Sequence, residues 1–212
     1  MNKKLSSALQ MLKRGGIVVY PTDTAYGLAV DATNPSAVKK LYSLKGRDFK
    51  KPIHVIPPTK FWTEKLVKLD PPAKRLIENL MPGPLTLVLP LKISGESWKL
   101  LSAGTKTLGI RRPKYKLALD LAAIFGKPIT TTSANVAGGK NCYSVSEFKK
   151  QFNPRIYGRI YAHIYVLDGG KLKKTKPSTV VSLSGKNAKI LRQGPISETQ
   201  IKNALLFTPR QH

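Results

Sequence analysis

Hydroxyl, carboxylate and cationic side chains gather at a few points along this chain, each time at the end of an apolar run. Tyr20-Pro21-Thr22-Asp23-Thr24-Ala25-Tyr26-Gly27 sets hydroxyls, a carboxylate and a phenol in one tight loop behind Ile17-Val18-Val19. In open α/β sheets ligands bind outside the carboxyl ends of strands, so this is a candidate binding loop. An ordinary turn rich in Thr, Asp and Gly has the same composition. Lys45-Gly46-Arg47, followed by Lys50-Lys51-Pro52, places cations across a glycine where a helical pattern stops. Lysine as a point charge and arginine as a fork suit a triphosphate. Cations there also answer the helix dipole without any ligand. Thr130-Thr131-Thr132-Ser133-Ala134-Asn135 directly follows Ile129 and offers donors to a phosphate or carboxylate, or an N-cap to a following turn. Pro177-Ser178-Thr179-Val180-Val181 and Ile190-Leu191-Arg192-Gln193-Gly194 each add one polar group at the end of an apolar strand.

Several other chemistries lack their residues. No GxxxxGK[ST] exists: Gly126-Lys127-Pro128 and Gly185-Lys186-Asn187 have neither the upstream glycine nor the hydroxyl. No GxGxxG follows a strand, no GxSxG marks a nucleophile, and no carboxylate pair supports glycosidase chemistry. His54, His163 and His212 lie far apart without ligand spacing, and His163 is expected in or beside a strand with no chemistry. The single cysteine, Cys142, cannot form an internal disulfide and belongs to no zinc cluster; it reads as a loop thiol without a role in a reducing compartment. Phosphate handling is therefore left to dispersed cations, hydroxyls and backbone amides.

The elements that must position these groups follow from the apolar patterning. The chain has 212 residues, 41% of them hydrophobic, enough for one domain with a sizeable core. Leu5 to Arg14 has helical spacing and stops at Gly15-Gly16. Ile17 to Tyr20, Ile53 to Ile56, Leu85 to Leu89, Thr107 to Arg111 and Ile129 to Thr132 read as strands. Asn34-Pro35 and Asp70-Pro71 open helices with a capping side chain and a proline in the first turn. Leu117 to Phe125 is a helix closed by Gly126, and a weaker one spans Ser146 to Gln151. Strands near Ile164–Leu167, Thr179–Leu183 and Ala188–Arg192 precede a short helix from Ser197. Alternating strands and helices, with strands crowded late, predict an α/β layered fold around a mixed sheet.

No stretch approaches the roughly 20 apolar residues of a membrane span, and the basic N-terminus has no apolar signal core. A cytoplasmic location is expected. The charge is far from balanced: 37 Lys+Arg against 11 Asp+Glu, a formal +26. Such a field attracts polyanions, ATP and tRNA among them. Lysine pairs scattered as Lys39-Lys40, Lys50-Lys51, Lys149-Lys150 and Lys173-Lys174 read as solvated faces more than as a recognition helix.

Taken in order, the blocks GGIVVYPTDTAYGL, LYSLKGRDFKKPI, PGPLTLVL, TLGIRRP, TTSANVAGG, PSTVV and ILRQGP resemble the YrdC/Sua5 family over nearly the whole chain, from about Leu5 to Pro195. The resemblance implies a twisted, mixed, open α/β sheet flanked by helices, with a basic concave cavity, and a single domain over 1–212 in the short form of the family. It implies synthesis of L-threonylcarbamoyladenylate and pyrophosphate from ATP, L-threonine and bicarbonate, with magnesium on the nucleotide. The adenylate would pass to a threonylcarbamoyl transferase complex that modifies tRNA, and weak tRNA binding by the chain itself is compatible with its charge. Carried over by motif, Lys45 and Arg47 would be catalytic and hold the ATP phosphates. Thr107, Ser133, Asn135, Asn141 and Arg192 would meet the nucleotide, and Thr22, Arg111, Thr131 and Ser178 the threonine. No protein-held metal is implied. The chain departs from the family where Ala25 replaces the usual valine, at Asp48-Phe49, and in the loop Gly138-Gly139-Lys140-Asn141. The alternatives are a differently specialised or non-catalytic paralogue, an RNA-binding module, or a carbamoyl-adenylating domain like those of larger maturation enzymes.

Overall fold

Two caps anticipated from the sequence close on their helices in the computed structural model, which describes residues 3–185 and 187–207. Asn34 accepts from the amides of Ser36 and Ala37 at the start of α2 (Pro35–Lys45), and Asp70 from Ala73 at the start of α4 (Pro71–Leu80). Each satisfies amides that the first helical turn leaves unpaired. The other helices are α1 (Lys3–Lys13), α3 (Lys60–Leu66), α5 (Glu96–Leu101), α6 (Lys116–Phe125), α7 (Val145–Gln151), α8 (Pro154–Tyr161) and α9 (Glu198–Leu206). His212 lies outside the described residues.

The strands are β1 (Ile17–Tyr20), β2 (Gly27–Ala29), β3 (His54–Ile56), β4 (Leu85–Pro90), β5 (Thr107–Arg111), β6 (Ile129–Ser133), β7 (Ile164–Val166), β8 (Thr179–Ser182) and β9 (Lys189–Arg192). They form one sheet in the order β7-β1-β2-β6-β3-β5-β4-β8-β9. Pairs β1/β7, β3/β5 and β4/β8 are parallel and the remaining pairs antiparallel, so the sheet is mixed as expected. The sequence reading missed β2, α3, α5 and α8. Each is short or irregular: β2 has 3 residues, α3 has 7, α5 has 6, and α8 bends at Gly158 with φ 45. Elements of one or two turns carry too few apolar positions to declare a period.

Strand alternation gives the sheet two unlike faces. Val55, Leu85, Leu87, Leu89, Leu108, Ile110 and Val181 point to one face, where they join Leu41 of α2, Leu76 of α4, Leu101 of α5, Phe148 of α7 and Ile201 of α9 in one apolar cluster. Val18, Tyr20, Ile56 and Ile129 point to the other, beneath Leu9 and Leu12 of α1 and Leu121 and Ala122 of α6. These two helices pack on each other and reach only one half of their face. Beyond them the same alternation turns His54, Thr86, Arg111 and Thr131 toward open space, which is where the concave cavity lies.

Candidate active site

The cavity is open to solvent, with about 740 Å³ of empty space counted through its mouth, and its lining is mostly hydroxyls and guanidiniums. One wall is the loop between β1 and β2, folded around the Thr22 hydroxyl. Its Oγ1 donates to the Ala25 carbonyl at 2.6 Å and accepts the amides of Thr24 at 3.2 Å and Ala25 at 3.3 Å. The adjoining Asp23 carboxylate pairs with Arg111 at the end of β5 and accepts the Lys114 amide at 2.9 Å. Arg111 Nη2 also donates to Thr24 Oγ1 at 2.9 Å, while its Nε is buried without a partner among the described residues. Both side chains of the pair are 11% exposed, so removing either carboxylate or guanidinium alone would strand a buried charge at a cost of about 3–5 kcal/mol.

A second wall comes from β4, β8 and β9. Thr86 and Ser178 share a hydroxyl contact at 2.9 Å. Arg192 clamps the same serine, donating from Nε and Nη2 to its carbonyl at 3.0 and 2.9 Å and from Nη2 to its Oγ at 3.1 Å. β9 approaches so closely that a Cβ on Gly194 would lie 2.2 Å from the Pro177 carbonyl oxygen and 2.4 Å from the Thr179 amide. Hence glycine is required there by space.

Arg47, Pro52, Ser133 and Asn141 form the third side, and Thr131 lies between the second strand pair and this one. Arg47 is held by the Lys51 and Pro52 carbonyls at 3.2 and 2.9 Å. The structure separates the two cations that the sequence sets side by side. Gly46 takes the left-handed conformation, φ 56, which turns the chain so that Arg47 reaches the cavity while Lys45 points into the wall behind it. The Lys45 ammonium is 2% exposed and donates to the Ser133 and Asn135 carbonyls at 2.5 and 2.6 Å and to Asn135 Oδ1 at 3.3 Å. Burial, and then Arg47 beside it, lowers its pKa to about 7. Asn135 is similarly occupied: its Oδ1 takes the Ser133 hydroxyl at 2.5 Å and its Nδ2 donates to Gly139 at 2.6 Å. Lys45 and Asn135 therefore brace the turn that carries Ser133, rather than facing the cavity.

Thr107 does not join this group. It shares the open face with Arg111, but four residues away along β5 is about 13 Å, and its hydroxyl meets Thr105 at 3.0 Å. Conversely, the sequence reading named Asp23 and Thr24 only as members of the candidate loop, without a role, and passed over Thr86 and His54. Thr86 carried a signal, a hydroxyl interrupting the apolar run Leu85 to Leu89; it is fully buried on the cavity side. His54 had none, because nothing near it in sequence shares its chemistry. Cys142 is a buried thiol that accepts from Gln151 Nε2, and burial pushes its pKa to about 11.

Known proteins resemble the chain over most of its length. The Sua5/YciO/YrdC family model, described as telomere recombination, matches residues 10–194. A threonylcarbamoyl-AMP synthase of Bacillus subtilis is 34% identical over 200 residues, covering 94% of this chain and 56% of its own length. The Mus musculus threonylcarbamoyl-AMP synthase is 36% identical over 187 residues, covering 85% of this chain and 62% of its own length. The chain thus spans little more than half the length of these two relatives. Among solved structures, Pyrococcus abyssi Sua5 complexed with L-threonine superposes with a TM-score of 0.84 at 30% identity, over 94% of this chain and 56% of that one. E. coli YciO gives 0.73 at 25% identity, over 90% and 89%. With the matched model running through every wall of the cavity, from the Thr22 loop to Gly194, the chain belongs to the Sua5/YciO/YrdC family.

Proposed function

We propose that this chain condenses L-threonine, bicarbonate and ATP into L-threonylcarbamoyladenylate and pyrophosphate. The carrying observation is Arg111: a guanidinium anchored by Asp23, with a buried Nε that has no partner among the described residues, beside the hydroxyls of Thr22 and Thr24. That arrangement suits an amino acid carboxylate and hydroxyl, and relatives 34% and 36% identical to this chain are named threonylcarbamoyl-AMP synthases. Thr131 and Ser178 complete the threonine side. Arg47, Ser133, Asn141 and Arg192 face the nucleotide, with Lys45 and Asn135 holding Ser133 in place. Threonine's N-carboxylate must approach the α-phosphate, so two anions meet. Arg47 and Arg192 offset that repulsion, and the walls align the partners with no protein nucleophile. Among the described residues no cluster of His, Cys, Asp or Glu fits a protein-held metal. Magnesium would arrive on the triphosphate.

Supply of this adenylate to a tRNA-modifying transferase complex, in the cytoplasm, follows from the same reading. Direct tRNA contact finds support in the segment before β8, where Lys171, Lys173, Lys174 and Lys176 are exposed. No helix among the described residues is long and apolar enough to cross a membrane. The deciding assay is pyrophosphate release with and without L-threonine and bicarbonate. Release should require both and fall about 10²-fold or more in Arg47→Ala. Threonine-independent release, or none, overturns the assignment in favour of a paralogue of other specificity.

A further inference from the structure

His54 opens β3, opposite Thr131 of β6, and its ring lies over Gly109 of β5. The slot is cut to the ring: a Cβ on Gly109 would come within 2.3 Å of Cδ2 and 2.7 Å of Cγ. His54 lines the cavity, yet neither ring nitrogen has a hydrogen-bond partner among the described residues. Its nitrogens are not among the buried unpartnered atoms, so the edge of the imidazole opens to the cavity and is free to meet a substrate, in a wall where hydroxyls and guanidiniums are cross-linked.

The proposed reaction supplies one. Threonine arrives with an ammonium group, which has no lone pair to attack carbon. It must lose one proton. The resulting amine then forms the N–C bond to bicarbonate, and water leaves: R-NH2 and HCO3− give R-NH-COO− and H2O. One proton per turnover therefore has to go to a base. Among the other lining groups, Arg47, Arg111 and Arg192 are already protonated and hydroxyls of Thr and Ser do not accept a proton. Tyr26 donates its hydroxyl to the Gly170 carbonyl at 2.7 Å, and burial pushes its pKa to about 12. Asp23 is bound to Arg111 and the Lys114 amide. Lys45 is turned into the wall.

We propose, resting on the synthase reading above, that His54 accepts the proton that threonine's ammonium gives up before its nitrogen attacks bicarbonate. Burial together with Arg192, Arg111 and Arg47 lowers the imidazole's pKa to about 4, which keeps it neutral and available. Filling the cavity with a triphosphate and two carboxylates reverses the sign of its surroundings and raises its affinity for a proton. The positive charge formed on the ring then lies among substrate anions.

The test compares pH–rate profiles of threonine- and bicarbonate-dependent pyrophosphate release in the wild type, His54→Gln and Gly109→Ala, the last displacing the ring without altering it. His54→Gln should lose about 10²-fold at pH 7. The loss should shrink steadily as pH rises and free threonine arrives already as the amine, and Gly109→Ala should follow the same trend. His54→Asn serves for the same comparison if the glutamine variant does not fold. Calorimetry of ATP binding at pH 6 in buffers of different ionisation enthalpy should show proton uptake in the wild type and none in His54→Gln. An equal loss at every pH, an unchanged profile, or uptake that survives His54→Gln overturns the proposal. Wild-type protein without threonine-dependent release overturns the synthase reading, and this step with it, a result distinct from the others.

Discussion

At the scale of single residues, the cavity works by keeping charges apart and occupied. Arg111 is neutralised by Asp23, Arg192 is spent on Ser178, and Lys45 is directed into carbonyls, so the cations do not simply add. For His54, burial first and then the nearby Arg192, Arg111 and Arg47 lower the pKa to about 4 against an ordinary value of 6.5. Its effect on stability has a definite sign. Between pH 4 and 6.5 the unfolded chain binds this proton and the folded chain does not, so stability rises with pH across that window. The stabilisation is fully present above pH 6.5 and is lost as pH falls, to a limit of about 3 kcal/mol. Urea unfolding at pH 5 and pH 7 should show a smaller difference for His54→Gln than for the wild type. Equal differences would mean that the imidazole titrates normally. This histidine was illegible in the sequence because its neighbours, Gly109, Thr131 and three arginines, come from three other strands and a helix end.

Elements set those partners by close approach. The hairpin of β8 and β9 brings Arg192 onto Ser178 only because Gly194 lets the chain pass against Pro177 and Thr179. Thr179 Oγ1 then accepts the amides of Gly194 and Ile196 at 3.0 and 3.1 Å, fastening the turn to the strand. Gly194→Ala must push the two segments apart. We expect threonine KM to rise about tenfold or more while the thermal midpoint falls by several degrees, since the hairpin is also an edge of the core. Steady-state kinetics and thermal unfolding on one preparation check both. A drop in stability with unchanged threonine KM would detach Ser178 from threonine binding. The capped helices, in contrast, were readable from local signals alone: Asn34-Pro35, Asp70-Pro71 and Gly46 are contained within a few residues of what they control. The short elements β2, α3 and α5 were not, because the sheet and the neighbouring helices hold them in place.

Across the whole molecule, 37 cations face 11 carboxylates, so most of the positive charge has no internal partner. Binding to a polyanion should therefore release counterions in proportion to the phosphates it neutralises. If the four lysines of the 171–176 segment lead, log affinity for tRNA should fall with log salt at a slope of about −3 to −4. Charge-neutral glutamines at those four positions should flatten the slope without changing pyrophosphate release. Filter binding across a salt series measures it, and a slope unmoved by the glutamines would assign the charge elsewhere. The sequence by itself determined the layered α/β class, most strands and helices and, through ordered motifs, the family. Periodicity, caps and motif order are local properties that survive in one dimension. Only the tertiary structure decided which polar groups face the cavity. It turned Lys45 away from Arg47 at a left-handed glycine, left Thr107 at the far end of its strand, and seated His54 on Gly109. Those outcomes depend on strand register and on the direction of a side chain at the surface it meets, neither of which a residue carries alone.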